Sequence, residues 1–99
     1  MEPAPPAVPV QPIRIKGGRG RTQAGQASWY EIDNGTCAHV RLPKGTIVRV
    51  VNMANGKEAL CRVADRGPFL QGRVIDLDLQ TFQQIASPSE GVVDVRISW

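Results

Sequence analysis

The sequence is poor in the residue types that most often carry chemistry. It has one histidine, two cysteines, two tryptophans, one tyrosine and two phenylalanines among 99 residues. No apolar run approaches the ~18 residues of a membrane-spanning helix. Strong helix formers are also sparse, whereas Val and Ile are plentiful and the chain has 10 Gly and 8 Pro. We therefore expect one mainly β domain with a modest core.

The positive charge of the chain is concentrated at its amino-terminal end. Residues 1–24 have a net charge of +3, from Arg14, Lys16, Arg19 and Arg21 against Glu2, and residues 25–99 have eight side chains of each sign. Because the first segment is also rich in Pro and Gly, we predict a flexible linker over residues 1–24 and a folded domain over residues 25–99. The alternative is a basic arm that binds anionic wall polymers or nucleic acid, although no nucleic-acid-binding motif accompanies it.

Five stretches of the chain have the composition or alternation of β-strands: residues 26–32, 46–53, 58–64, 73–79 and 92–99. In the last stretch Val93, Val95, Ile97 and Trp99 alternate with polar residues, which predicts a strand with one buried face. The dipeptide Asn55-Gly56 predicts a two-residue hairpin turn between the second and third stretches.

One short helix is predicted after the fourth strand. Asp78 is a candidate N-cap, Leu79, Phe82 and Ile85 recur at a spacing of three, and Pro88 ends the pattern. We expect this helix to cover one end of a barrel.

The two cysteines allow two interpretations. Cys37, His39 and Cys61 together offer three metal ligands, but a structural zinc site needs four. A disulfide between Cys37 and Cys61 would close about 25 residues and stabilise the domain by ~3 kcal/mol. It would also indicate an oxidising compartment outside the cytosol. The disulfide is the favoured interpretation.

Asp65 follows an apolar strand and precedes Arg66-Gly67-Pro68, in the stretch "CRVADRGPF". One interpretation is that its carboxylate only caps the turn through a backbone amide. The functional alternative is a general acid, which we expect to be partly desolvated so that it holds a proton. A disulfide would bring His39 close to Asp65, because they follow Cys37 and Cys61 by two and four residues.

Several motifs resemble the rare lipoprotein A-like domain of septal-ring lytic transglycosylases. They are "ASWYEI", "CAHVRLPKGTIVRVVNMANGK", "VADRGPF", "GRVIDLD" and "GVVDVRISW", which follow the family's order and spacing over about residues 25–99. The resemblance implies a six-stranded double-psi β-barrel with one or two short helices, a fold shared with expansins. It also implies a secreted or cell-wall-associated protein whose partner is peptidoglycan. Because a closed barrel has few free strand edges, we expect a monomer.

The resemblance also implies an activity and its residues. Active members of the family cleave the MurNAc-GlcNAc bond of peptidoglycan, prefer glycan without stem peptides, form 1,6-anhydro-MurNAc ends and need no metal or cofactor. The family's catalytic Asp corresponds to Asp65, and its partner His corresponds to His39. Arg66 is expected to anchor sugar oxygens. Trp29 and Tyr30 are candidate sugar-stacking side chains, at least one of which should belong to the core.

The chain departs from the family pattern between its first strand and His39. The segment "SWYEIDNGT" is shorter than in typical active members and lacks an acidic residue that they carry, for which Glu31 and Asp33 are candidate replacements. The shorter segment leaves an alternative function, an expansin-like module that binds cell-wall glycan without cleaving it. A purely structural or protein-binding barrel is a third possibility.

Overall fold

The computed structural model describes residues 21–99. A linker is predicted over residues 1–24, and residues 1–20 of it lie outside the described residues. The first strand begins at Thr22, three residues before the predicted domain boundary. Arg21 and Trp99 extend its pairing, because each backbone N–H donates to the other's carbonyl at 3.1 Å.

Six strands, one α-helix and one 3-10 turn make up the described part of the chain. In order they are β1 (Thr22–Tyr30), β2 (Thr36–Ala38), β3 (Ile47–Asn52), β4 (Glu58–Asp65), β5 (Arg73–Asp78), α1 (Leu79–Gln83), the 3-10 turn (Pro88–Glu90) and β6 (Val92–Ser98). Each of the five predicted stretches overlaps a strand, and β2 is the additional one. Within residues 21–99, no helix has the length and hydropathy needed to cross a membrane.

The strands form a closed barrel in the order β1-β5-β2-β4-β3-β6. The pairs β1/β5 and β2/β4 are parallel, and the other four pairs are antiparallel. Because the sheet closes, every strand has two neighbours and its backbone groups are paired on both sides. The expectation of a six-stranded barrel is thus confirmed.

The core fills the barrel with alternating residues of the strands. In β6, Val95 and Ile97 are fully buried while Asp94 and Arg96 are exposed, as the alternation predicts. Strand β1 packs especially closely on β5, because a Cβ added to Gly25 would lie 2.3 Å from Cγ1 of Val74.

The predicted N-cap of α1 is confirmed. Asp78 is fully buried, and its Oδ2 accepts a hydrogen bond from the Thr81 N–H at 3.1 Å, while the Thr81 hydroxyl donates to Oδ1. These bonds satisfy a carboxylate that would otherwise be costly to bury. The cap fixes the start of a helix that adds Phe82 to the core. The turn after the helix adds Ile85 to the same core.

The β3–β4 connection is a hairpin, but its turn is longer than predicted. The last strand pair is Val51 with Glu58, so Asn55-Gly56 lies inside a loop. Asn55 has two roles there, because its Oδ1 accepts from the Lys57 N–H at 2.9 Å and its amide donates to the Ile85 carbonyl at 3.0 Å. The prediction of a two-residue turn is therefore wrong. In the longer loop, Asn55 ties the hairpin to the segment after α1.

Candidate functional site

Asp65 lies at the exit of β4, where three strands meet. Strand β2 is the central one, and Ala38 pairs with Asp65 on one side and with Asp76 on the other. The His39 backbone N–H then donates to the Asp65 carbonyl at 3.1 Å. The strand order therefore brings two aspartates and the loop after β2 to one region of the barrel surface.

The Asp65 carboxylate is exposed and is held through both oxygens. Oδ1 accepts a hydrogen bond from the Arg66 N–H at 2.8 Å, and Oδ2 accepts one from the Tyr30 hydroxyl at 2.9 Å. The Arg66 amide and then the Tyr30 hydroxyl hold the pKa of Asp65 below its usual value, with a smaller contribution from the charge of Lys44. The expectation of a desolvated, protonated acid is therefore wrong for the free chain, in which Asp65 is a carboxylate.

Tyr30 contributes its hydroxyl to the site. Burial, the hydrogen bond to Asp65 and the nearby carboxylates of Asp65 and Asp76 raise the pKa of Tyr30 to about 12. Because this is far above neutral pH, the phenol keeps its proton and always acts as the donor to Asp65. The hydroxyl of Tyr30 thereby fixes the orientation of the carboxylate.

Replacing Tyr30 by Phe should raise the pKa of Asp65. The Tyr30→Phe variant loses a donor that stabilises the charged carboxylate, and the Arg66 amide alone then holds it. A titration of the Asp65 carboxyl carbon by NMR measures the shift. Glu31→Gln is the matched control. Glu31 is exposed and follows Tyr30 in the chain, and no described hydrogen bond joins it to Asp65. Equal Asp65 titration curves in wild type and Tyr30→Phe would contradict this interpretation.

His39 is fully buried and serves the loop that follows β2. Its Nδ1 accepts hydrogen bonds from the backbone N–H groups of Arg41 and Leu42, both at 3.1 Å, and its Nε2 lies 2.9 Å from Oε1 of Gln23. Burial, followed by the charges of Arg41 and Arg66, lowers the pKa of His39. These contacts describe a neutral ring protonated on Nε2, and its described hydrogen bonds all go to groups other than the Asp65 carboxylate.

Arg66 ties the same loop to the turn after β4. Its Nη1 donates to the His39 carbonyl at 3.1 Å and to the Leu42 carbonyl at 2.6 Å. The guanidinium therefore points toward the loop, and the Arg66 contribution to Asp65 comes mainly from its backbone amide. The predicted role of Arg66 in anchoring sugar oxygens stays a prediction, and the observed contacts are structural.

A disulfide joins Cys37 and Cys61 beneath the site. Both residues are buried, their Cα atoms are 5.8 Å apart and their sequence separation is 24. The bond crosslinks β2 to β4, the two strands that lead to His39 and Asp65. It also decides between the two interpretations of the cysteines, because neither sulfur is a free thiolate that could bind a metal.

The other predicted site residues divide between the core and the surface. Trp29 packs against the core and its indole N–H donates to the Pro88 carbonyl at 3.0 Å. This confirms that at least one of Trp29 and Tyr30 is structural. Glu31 and Asp33 are exposed, and the Asp33 carbonyl closes a turn by accepting from the Thr36 hydroxyl at 2.6 Å. No described hydrogen bond joins either carboxylate to Asp65.

A second polar cluster next to the site is missed by the sequence analysis. The Ser28 hydroxyl donates to Oδ1 of Asp76, and Nη1 of Arg73 donates to the Ser28 oxygen and lies 3.6 Å from Asp76. Asp76 is close enough to contribute to the raised pKa of Tyr30. The motif "GRVIDL" contains Arg73 and Asp76. Their partner Ser28 on β1 is identified only by the register of the parallel β1/β5 pair.

Comparison with known proteins identifies relatives of this barrel. A family model described as "Lytic transglycolase" matches residues 22–97. The endolytic peptidoglycan transglycosylase RlpA of Vibrio cholerae is 40% identical over 98 residues, which cover 84% of this chain and 37% of that protein. The protein of the same name from Campylobacter jejuni is 38% identical over 93 residues, covering 79% and 34%. The chain thus spans about a third of the length of these curated relatives.

Solved structures support the barrel fold. A mutant of the Clavibacter michiganensis expansin in complex with cellohexaose superposes with a TM-score of 0.65 at 17% identity, over 78% of this chain and 49% of that one. A Streptomyces papain inhibitor gives a TM-score of 0.61 at 20% identity, over 78% and 92%. At these identities the likeness concerns the fold, because one fold carries unrelated functions.

Proposed function

The chain belongs to the lytic transglycolase family of double-psi β-barrels, and from this premise we propose that it cleaves the MurNAc-GlcNAc bonds of peptidoglycan glycan strands. The observation that carries the proposal is the exposed Asp65 carboxylate, which is held through both oxygens at an anchored turn. An exposed carboxylate with a fixed orientation is available to a polymeric substrate that approaches the barrel surface.

Asp65 is the proposed proton-transfer group. It protonates the glycosidic oxygen as the bond from that oxygen to C1 of MurNAc breaks, and it then takes the proton of the C6 hydroxyl as O6 bonds to C1. One bond breaks, one bond forms, the carboxyl is regenerated and no water is consumed. The reaction as written needs only proton transfer, so it invokes no metal or cofactor.

The glycan itself must change the protonation of Asp65. In the free chain the carboxylate is exposed and its pKa lies below the usual value. A glycan strand that covers it would remove water and raise that pKa, because desolvation disfavours the charged form. The hydrogen bonds from Tyr30 and the Arg66 amide keep the carboxylate in one orientation in both states. His39 and Arg66 act as positioning residues, since their contacts hold the loop beside Asp65.

A second candidate function is glycan binding without cleavage. It is favoured by the ionised state of Asp65 in the free chain, because a carboxylate suits the role of hydrogen-bond acceptor as well as that of base. The short connection between β1 and β2 also leaves fewer residues to cover the carboxylate. This candidate uses the same surface but predicts no new glycan ends.

One assay separates the two candidates. We expect the protein to release soluble glycan fragments with anhydro ends from peptide-stripped sacculi, measured by mass spectrometry of the supernatant. Sacculi incubated without protein give the background. Protein that pellets with the sacculi but releases no fragments would contradict the cleavage proposal and favour the binding module.

The setting of the protein follows from the same features. Peptidoglycan lies outside the cytoplasmic membrane, and a disulfide such as Cys37–Cys61 is typical of an oxidising compartment. We therefore infer an extracytoplasmic, secreted or wall-associated location. The closed barrel leaves no strand edge open within residues 21–99, so we infer a monomer that acts on its own.

A further inference from the structure

The aromatic side chains in residues 21–99 differ in how much of their surface is exposed and free to contact a ligand. Phe82 is fully buried, Trp29 and Trp99 pack against the core, and the Tyr30 hydroxyl is bonded to Asp65. Phe69 is 80% exposed, more than any other large apolar side chain in residues 21–99. The sugar-stacking surface expected at Trp29 and Tyr30 therefore has a better candidate elsewhere.

Phe69 is exposed on an anchored turn. It follows Asp65 by four residues, and Gly67 and Pro68 between them are buried. A Cβ built on Gly67 would lie 3.6 Å from Cε2 of Phe69, so one edge of the ring lies beside the side-chain position of Gly67. After the ring, the Arg73 N–H donates to the Leu70 carbonyl at 3.1 Å and closes the loop. The exposure of Phe69 is thus built into the turn that also presents Asp65.

We propose that Phe69, together with the adjacent Leu70, forms a subsite that packs against the apolar face of a sugar ring next to the bond cleaved at Asp65. This inference rests on the proposed function and names a contact that determines glycan affinity. Leu70, the next residue, is 62% exposed and adds apolar surface to the same turn. A pyranose has C–H groups on its faces and hydroxyls around its edge, so it can cover an aromatic ring while its hydroxyls stay hydrated.

The size of the patch favours a sugar over a protein partner. Two side chains fall far short of the roughly 800 Å² per partner that a stable protein interface buries. They match the surface that one or two sugar rings cover. The patch also lies on the turn that follows Asp65, four and five residues along the chain, so an extended glycan strand that covers the carboxylate can also reach it.

Binding in a cleavage-deficient background tests the subsite separately from the reaction. In the Asp65→Asn chain, the added Phe69→Ala change should weaken binding to peptide-stripped sacculi about tenfold, which corresponds to about 1.4 kcal/mol. Phe69→Trp should keep the affinity because it keeps an aromatic face. Leu60→Ala is the matched control, since Leu60 is also exposed, at 59%, but lies on β4 at a distance from the turn. In the chain with Asp65 intact, Phe69→Ala should raise KM more than it lowers kcat.

Each outcome decides the inference. Loss of affinity in Phe69→Ala, with Phe69→Trp and Leu60→Ala unchanged, supports the subsite even if no cleavage product is ever found. Equal affinity of Phe69→Ala and its parent overturns it while leaving the proposed function intact, and so does an equal loss in Leu60→Ala. Failure of both the wild type and the Asp65→Asn parent to pellet with the sacculi overturns both proposals.

Discussion

The Asp65→Asn variant is expected to lose glycan cleavage while it keeps its fold. An amide can neither donate a carboxyl proton to the glycosidic oxygen nor take one from the C6 hydroxyl, and groups with this role contribute at least about 100-fold to rate. The substitution is nearly isosteric. Its oxygen can accept from the Arg66 N–H, and its amide can donate to the Tyr30 oxygen, so both contacts have a replacement.

Melting temperature and sacculus binding are the controls for this variant. The carboxylate is exposed, so we expect a small change in melting temperature on its replacement. Binding to peptide-stripped sacculi should also persist, because the apolar contacts at Phe69 and Leu70 are unchanged. Asp76→Asn is a useful comparison, since Asp76 is the other carboxylate next to Ala38. Cleavage by Asp65→Asn at the wild-type rate would contradict the assignment of Asp65.

Removal of the disulfide is expected to cost the domain much of its stability. In the loop-entropy model a crosslink with this separation of 24 residues stabilises by about 3 kcal/mol. For a domain of this size we expect the double variant Cys37→Ala, Cys61→Ala to melt roughly 12–24 °C below the wild type. The loss of stability should be large because a small core contributes only a modest free energy of unfolding.

Reduction of the unmodified chain provides the control for the cysteine variant. The reduced wild type loses the same crosslink but keeps both side chains in the core, so it separates crosslinking from packing. Calorimetry of the three samples measures both contributions. A double variant that melts within about 3 °C of the oxidised wild type would show that the crosslink does little to stabilise this barrel.

Local sequence patterns predicted most of the barrel. Strand β6 follows from strict alternation, and α1 follows from a capping residue ahead of apolar residues at a spacing of three, because each signal lies within one element. The cysteine pair was favoured as a disulfide because a metal site lacked a fourth ligand. Strand β2 could not be predicted, since three residues carry no periodicity and its place depends on partners on both sides.

The environment of Asp65 could not be read from its neighbours in the chain. The Tyr30 hydroxyl that lowers its pKa lies 35 residues away, and the contact exists only because the barrel brings β1 and β4 together. The same holds for Ser28 and Asp76, which are 48 residues apart. The sequence predicts that His39 lies near Asp65, and a backbone hydrogen bond joins the two residues, but the burial of the His39 ring under the loop depends on backbone donors that sequence patterns do not reveal.

In the proposed reaction the C6 hydroxyl of MurNAc, and not water, attacks C1 as the glycosidic bond breaks at Asp65. The most direct test is digestion of peptide-stripped peptidoglycan in water enriched in heavy oxygen, followed by mass spectrometry of the new glycan ends. We expect anhydro ends that carry no heavy oxygen, and we expect Asp65→Asn to produce none of them. New reducing ends that carry the label, or no new ends at all, would contradict it.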